Sequence, residues 1–206
     1  NLVSFSQTGF YNNGMDITIP TGNTIHINGD YVHDSIVGKA PKQVASTGEI
    51  HLTGDFVNKT STIVFSNLSV PPLFSMKGKV VFYGDSSQQV VGDSSAYFHK
   101  LEINKGAKSE LTIQQNIVVS DSLELTSGNI NIQDYDIELG DFGNLINETD
   151  TNRVYGRNGV LRATRIISAN TLNIAGLGLD IETSNSLGST VFERGHLSQL
   201  GTSTGS

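Results

Sequence analysis

Cysteine is absent from this chain of 206 residues. No disulfide can staple the fold, so it must hold by burial and backbone pairing, and a long solenoid core needs no such staple. The missing thiols therefore leave the redox compartment open. Tryptophan is also absent, and charged residues make up only 16% of the chain. Basic residues are the scarcer sign, 13 Lys and Arg against 20 Asp and Glu, for a net charge of -7. Nucleic-acid binding needs Lys and Arg clustered on an extended face, so no nucleic-acid partner is expected. No run of 18 apolar residues occurs, which excludes a membrane-spanning helix, and no membrane insertion is expected. Proline is limited to 4 residues, two of them adjacent in SVPPLFSMKG (69–78), where they mark a loop or coil insertion rather than a strand. The chain starts at Asn1 with neither Met nor a signal-peptide pattern, so the expectation is a mature N-terminus from which an export signal has been removed.

What is abundant is glycine, 22 residues, together with Ser, Thr and Asn, in short period-two alternations: TIHIN (24–28), EIHLT (49–53), KVVFY (79–83), KLEIN (100–104), SLELT (122–126) and others. Period two sends alternate side chains to opposite faces of a sheet, and each segment is too short for a helix to nucleate. Three phrases recur: IHINGD (25–30), IHLTGD (50–55) and VVFYGD (80–85). Their glycines are 25 residues apart (54 minus 29) and then 30 (84 minus 54), the range in which solenoid repeats occur. Apolar triplets also step every seven residues through Leu123, Ile130 and Ile137, the rhythm of a chain winding round a prism with three sides. The expected fold is all-β, a right-handed parallel β-helix or β-solenoid, with a β-sandwich as the alternative. Stacked in register, Ile25, Ile50 and Val80 form one inward ladder and Ile27, Leu52 and Phe82 another. Thr24, Glu49, Lys79, His26 and His51 face outward. Gly29, Gly54 and Gly84 turn the corners with φ > 0, and Asp30, Asp55 and Asp85 bond backbone N–H groups there. The polar run INETDTNRVYGRNG (146–159) divides a main block, 1–150, from terminal coils of the same solenoid, 151–206, which end in a frayed or truncated tail.

GDSSQQVVGDSSAYFHKLEINKG (84–106), LTIQQNIVVSDSLELTSGNI (111–130), NRVYGRNGVLRATR (152–165) and NIAGLGLDIETSNSLGSTVFERGH (173–196) resemble the repeat of large exported surface proteins of Bacteroidetes bacteria. The resemblance implies an adhesin-like cargo of type IX secretion, extracellular or on the outer cell surface, with no established catalytic site. It also makes Ser35 and Ser122, in the Asp-Ser-apolar triplets at 34–36 and 121–123, candidate O-glycosylation sites.

Stacked Asp30, Asp55 and Asp85 are of a kind that can hold Ca²⁺ or act on glycans, but turn chemistry alone selects Asp after Gly at a repeated corner. No cofactor is expected, and Ca²⁺ is the one ion the column suggests. His26 and His51 should sit one rung apart, about 4.8 Å, without a third ligand at zinc spacing. Arg153, Arg157, Arg162 and Arg165 form the main basic concentration, with Lys100, Lys105 and Lys108 a weaker second, a candidate dock for an anionic ligand or a partner subunit, weighed against ordinary solvated strand faces. No nucleophile elbow, phosphate loop, EF-hand loop or zincin motif is present, and no catalytic residue is expected. The chain therefore reads as an extracellular structural and adhesive module, a stiff scaffold presenting a face to glycans, surfaces or its own copies, with filament formation through uncapped ends. The alternative is a polysaccharide lyase or hydrolase on the same scaffold.

Overall fold

The computed structural model describes residues 2–5, 9–13, 15, 17–34, 44–59, 78–93, 95–106 and 109–196. Ser35, the adjacent prolines and the last ten residues lie outside them. The chain winds in successive coils. The first carries β1 (Leu2–Phe5), β2 (Gly9–Asn13) and β3 (Ile17–Ile19), and the next β4 (Thr24–Ile27), β5 (Asp30–Asp34) and β6 (Val44–Ser46). Above them lie β7 (Glu49–Leu52) and β8 (Phe56–Asn58), β9 (Lys79–Gly84) and β10 (Gln88–Gly92), then β11 (Ala96–Lys105) and β12 (Glu110–Ile113). The stack continues through β13 (Ile117–Ser127) and β14 (Asn129–Asn131), then β15 (Ile137–Gly140), β16 (Asn144–Ile146) and β17 (Val154–Tyr155). It ends with β18 (Val160–Ile167) and β19 (Gly188–Gly195). Among the described residues the strands pair in parallel, with the β18–β19 hairpin antiparallel at the end, so the molecule is a parallel β-solenoid and not a sandwich.

Three faces follow from the pairing. A seven-stranded sheet, β17-β14-β12-β10-β8-β5-β2, forms the second face. The longer sheet serves two faces because it bends. Ala96–Phe98 pair with Ile117–Val119, the register then shifts, and Lys100–Ile103 pair with Ser122–Leu125. The segments from β4, β7 and β9 through 100–105, 122–127 and β16 make the front face; 96–98, 117–119, β15 and the start of β18 make the third. Leu123, Ile130 and Ile137 thus lie on three successive faces of one coil, as their seven-residue spacing predicts.

Both front-face ladders stand. Ile25, Ile50, Val80, Leu101, Leu123 and Leu145 are register partners in sequence, as are Ile27, Leu52, Phe82, Ile103 and Leu125. All are buried except Ile25, half-buried near the N-terminal end. Each buried aliphatic side chain contributes roughly 1.5–3 kcal/mol, repeated rung by rung. A second interior column is aromatic: Tyr31 stacks between Phe10 and Phe56, each centroid 5.7 Å away, and Phe56 meets Phe98 edge-on at 5.5 Å.

The corners need one correction. Gly29 and Gly84 have φ of 130° and 97°, the left-handed region expected of them. Gly54 does not. Glycine is required there by contact: a Cβ on Gly54 would lie 2.3 Å from the carbonyl carbon of Gly29 and 2.5 Å from the nitrogen of Asp30. The aspartates act between coils. Asp30 Oδ1 accepts the N–H of Asp55, and Asp55 Oδ1 that of Gln89, each at 2.8 Å. Asp85 makes no such bond among the described residues; its Oδ1 sits where a Cβ on Gly106 would fall. The same stapling recurs away from the Gly-Asp phrase, where Asn116 Oδ1 accepts from Asp136 N and Asp136 Oδ1 from Val160 N, both at 3.0 Å.

Neither end carries a helical cap among the described residues, yet the C-terminal end of the stack is covered. Parallel stacking runs on through residue 150 to β18, and the following loop then folds across the top of the core. A 3-10 turn at Ile174–Gly176 puts Ile174, Ala175 and Leu177 into the interior, and Phe192 of β19 closes the side. The cover is short and irregular, which hides it from any search for a helix.

Candidate functional site

The front face carries the densest polar chemistry. Its outward column runs Thr24, Glu49, Lys79, Lys100, Ser122 and Asn144, and the next runs His26, His51, Val81, Glu102 and Glu124. Pairs of unlike charge form both between neighbouring rungs and along one strand. Lys79 Nζ lies 2.6 Å from Glu102 and 3.5 Å from Glu49, and His51 Nε2 is 2.8 Å from Glu49. Lys100 reaches Asp121 at 3.5 Å. Burial opposes ionisation of Glu49, but the His51 hydrogen bond and Lys79 outweigh it and hold its carboxyl below the usual range. Glu49, Lys79, Lys100, Ser122 and Glu124 line a cavity of about 280 Å³.

Beside this groove the His26 and His51 rings lie 4.7 Å apart, the expected rung spacing, and Tyr83 packs edge-on against both at 6.1 and 5.8 Å. Burial, and then the neighbouring His51, push the His26 pKa down. A histidine whose folded pKa is depressed contributes stability above its unfolded pKa, near 6.5, that is lost as pH falls through the folded value. Chemical denaturation between pH 7.5 and 5 should show that loss, and His26→Asn should reduce it. Among the described residues no three His, Cys, Asp or Glu side chains group as a metal site. Asp30 and Asp55 turn carboxylate oxygens toward backbone N–H groups of the next coil, a structural role in place of the local turn bonds expected at the corners.

The arginine cluster disperses. Arg157 pairs with Asp134 at 2.5 Å, and Arg162 with Glu193 at 2.6 Å and Asp136 at 3.6 Å. Arg165 turns inward, donating to the carbonyls of Gly140, Thr164 and Gly143 and tying the β15–β16 corner to β18. Arg153 is exposed and has no acidic partner among the described residues. Adjacency in sequence therefore does not become a shared patch. Ser122 lies in β13, paired on both sides by Lys100 and Asn144, and lines the groove.

One lysine of the weaker basic cluster lies inside rather than on a solvated face, and one further group escaped the sequence reading. Lys105, 2% exposed, extends the inward alternation Leu101, Ile103, Lys105, and its ammonium donates to Gln88 Oε1 inside the solenoid. Gln88 in turn donates to the carbonyls of Leu52, at 3.1 Å, and Gly54. Burial pushes the Lys105 pKa down to about 8, with Asp55 and Asp85 opposing. A depressed folded pKa means stability gained as pH rises from about 8 to the unfolded value of 10.5 and lost on descent. The difference of 2.5 corresponds to on the order of 3 kcal/mol. Lys105→Met should flatten this part of the stability–pH curve, read by urea unfolding at pH 7.5 and 10. The further group is Glu148, Arg194 and His196, which meet at one cleft from positions 46 residues apart. Compared with known proteins, the chain matches no family model, no curated protein and no solved structure.

Proposed function

We propose that the chain is a structural and adhesive module of an exported surface protein, a stiff solenoid whose front face contacts glycans or solid surfaces. The observation that carries this reading is the front-face ladder: outward Glu, Lys, His and Ser side chains from adjacent coils, fixed by parallel register and supported by an apolar column directly behind them. A surface held that rigidly loses little entropy on contact, which favours binding to repetitive polymers. The Lys79–Lys100–Ser122 groove suits hydroxyl-rich, acidic chains, with the lysines meeting anionic groups and the glutamates accepting from hydroxyls. Extracellular location and self-association follow from the same reading, with self-association placed at the sides or N-terminal end rather than across the covered C-terminal end.

The alternative, an enzyme cleaving polysaccharides, draws on the same groove, where carboxylates and lysines from neighbouring coils converge. A general acid needs a carboxyl held protonated near neutral pH, whereas Glu49 is shifted toward ionisation. Glycan-array binding with wild type and Lys79→Ala/Lys100→Ala tests the contact reading. Wild type should retain acidic glycans and the double variant should lose most of that binding. Retention of none, or release of reducing-end products from a bound polysaccharide, would overturn it.

A further inference from the structure

We propose that a cleft at the C-terminal end, between 148–154 and 194–196, binds a hexuronate, a sugar bearing one carboxylate, with Arg153 and Arg194 receiving that carboxylate. The cleft is open to solvent and has a volume of about 300 Å³, at the small end of ligand sites and enough for one sugar ring. Its lining includes Glu148, Asp150, Arg153, Arg194 and His196 and shares no residue with the front-face groove.

Three nitrogen groups here have unspent capacity. Arg153 is a surface cation without an ion pair among the described residues, whereas Arg157 and Arg162 are paired. Arg194 forks onto Glu148, Nη1 to Oε2 at 2.6 Å and Nη2 to Oε1 at 2.8 Å, which fixes the guanidinium plane and leaves its Nε–H over. That Nε and His196 Nε2 are shielded from water and have no hydrogen-bond partner. A shielded polar atom without a partner is costly, and a carboxylate that enters as the Arg194 side chain shifts toward the cleft gives its Nε–H an acceptor. Arg geometry suits a planar carboxylate.

The acids in the cleft define the rest of the ligand. Glu148 and Asp150 balance the two arginines, so a doubly charged phosphate or sulfate is disfavoured. A single carboxylate on a ring of hydroxyls is favoured, because each acidic side chain then accepts from a sugar O–H. The site deepens the glycan-contact reading and rests on it, but is tested by different residues.

The test is a ¹H–¹⁵N titration of the whole chain with glucuronate, glucose, acetate and sulfate, using wild type, Arg153→Gln and the control Arg157→Gln. Glucuronate should shift the amides of 148–154 and 194–196 saturably, with glucose and acetate far weaker. Arg153→Gln should weaken it roughly tenfold, while Arg157→Gln leaves it unchanged. Absence of saturation, equal binding by Arg153→Gln, or acetate or sulfate binding as tightly as glucuronate each overturns the proposal. If front-groove binding survives that result, only the cleft is wrong.

Discussion

Phe56→Ala is expected to lower the free energy of unfolding by about 3–5 kcal/mol. Phe56 is 0% exposed and joins two faces, stacked on Tyr31 of the second with an interplanar angle of 2° and meeting Phe98 of the third at 64°. Truncation therefore opens a cavity where the walls meet, and the strands cannot collapse into it because each is held in register by coils above and below. Phe56→Leu keeps most of the volume and should cost about half as much or less. Urea unfolding followed by far-ultraviolet circular dichroism measures both. A loss under about 1 kcal/mol for the alanine variant would mean that the interior is not packed as described.

Gly176→Ala should detach the C-terminal cover. Gly176 has φ of 75°, in the left-handed region, and a Cβ there would lie 1.9 Å from the carbonyl oxygen of Leu145. Backbone strain and a clash with β16 act together. The Ile174–Leu177 turn has to lift, with a local penalty of roughly 2–4 kcal/mol. Hydrogen exchange should rise across 168–187 while β7–β13 stay protected, and the uncovered core should promote association at high concentration. Unchanged exchange in that loop would show that it does not bear on the core.

The difference between these two sites also explains what the sequence reveals. The coil-on-coil columns follow once Ile25, Ile50 and Val80 are aligned by their Gly-Asp corners, but the three-residue strand that holds Phe56, FVN, shows no apolar alternation, because its second inward residue is Asn58. The later rungs of those columns, beginning at 100, 122 and 144, are spaced by 22 residues (122 minus 100 and 144 minus 122) and turn at Lys105-Gly106 and Ser127-Gly128. Without a Gly-Asp phrase, nothing in the sequence ties them to the earlier rungs. Lys105 was legible by parity alone, since it continues Leu101 and Ile103, but a lysine reads as solvent-facing until the Gln88 carbonyl is found opposite it. Gly176 looks like any loop glycine, because its requirement comes from Leu145, 31 residues earlier (176 minus 145). For the same reason the four arginines between 153 and 165 suggested a patch: alternation and coil corners send them to different faces, and their acidic partners come from other coils. Arg194 and Glu148 meet only after the terminal hairpin has folded back.

Pulsed electron–electron spin distances offer the most direct test of parallel stacking, since the absence of cysteine allows labels to be placed without background. Thr24, Glu49, Lys79, Lys100, Ser122 and Asn144 form one outward column, so Thr24→Cys paired in turn with Ser122→Cys and Asn144→Cys spans four and five rungs. The backbone separations should be about 19 and 24 Å, differing by one strand spacing. Narrow distributions that step by about 5 Å are the predicted result. Broad distributions, or a pair at 144 no farther away than the pair at 122, would contradict a chain that coils upon itself.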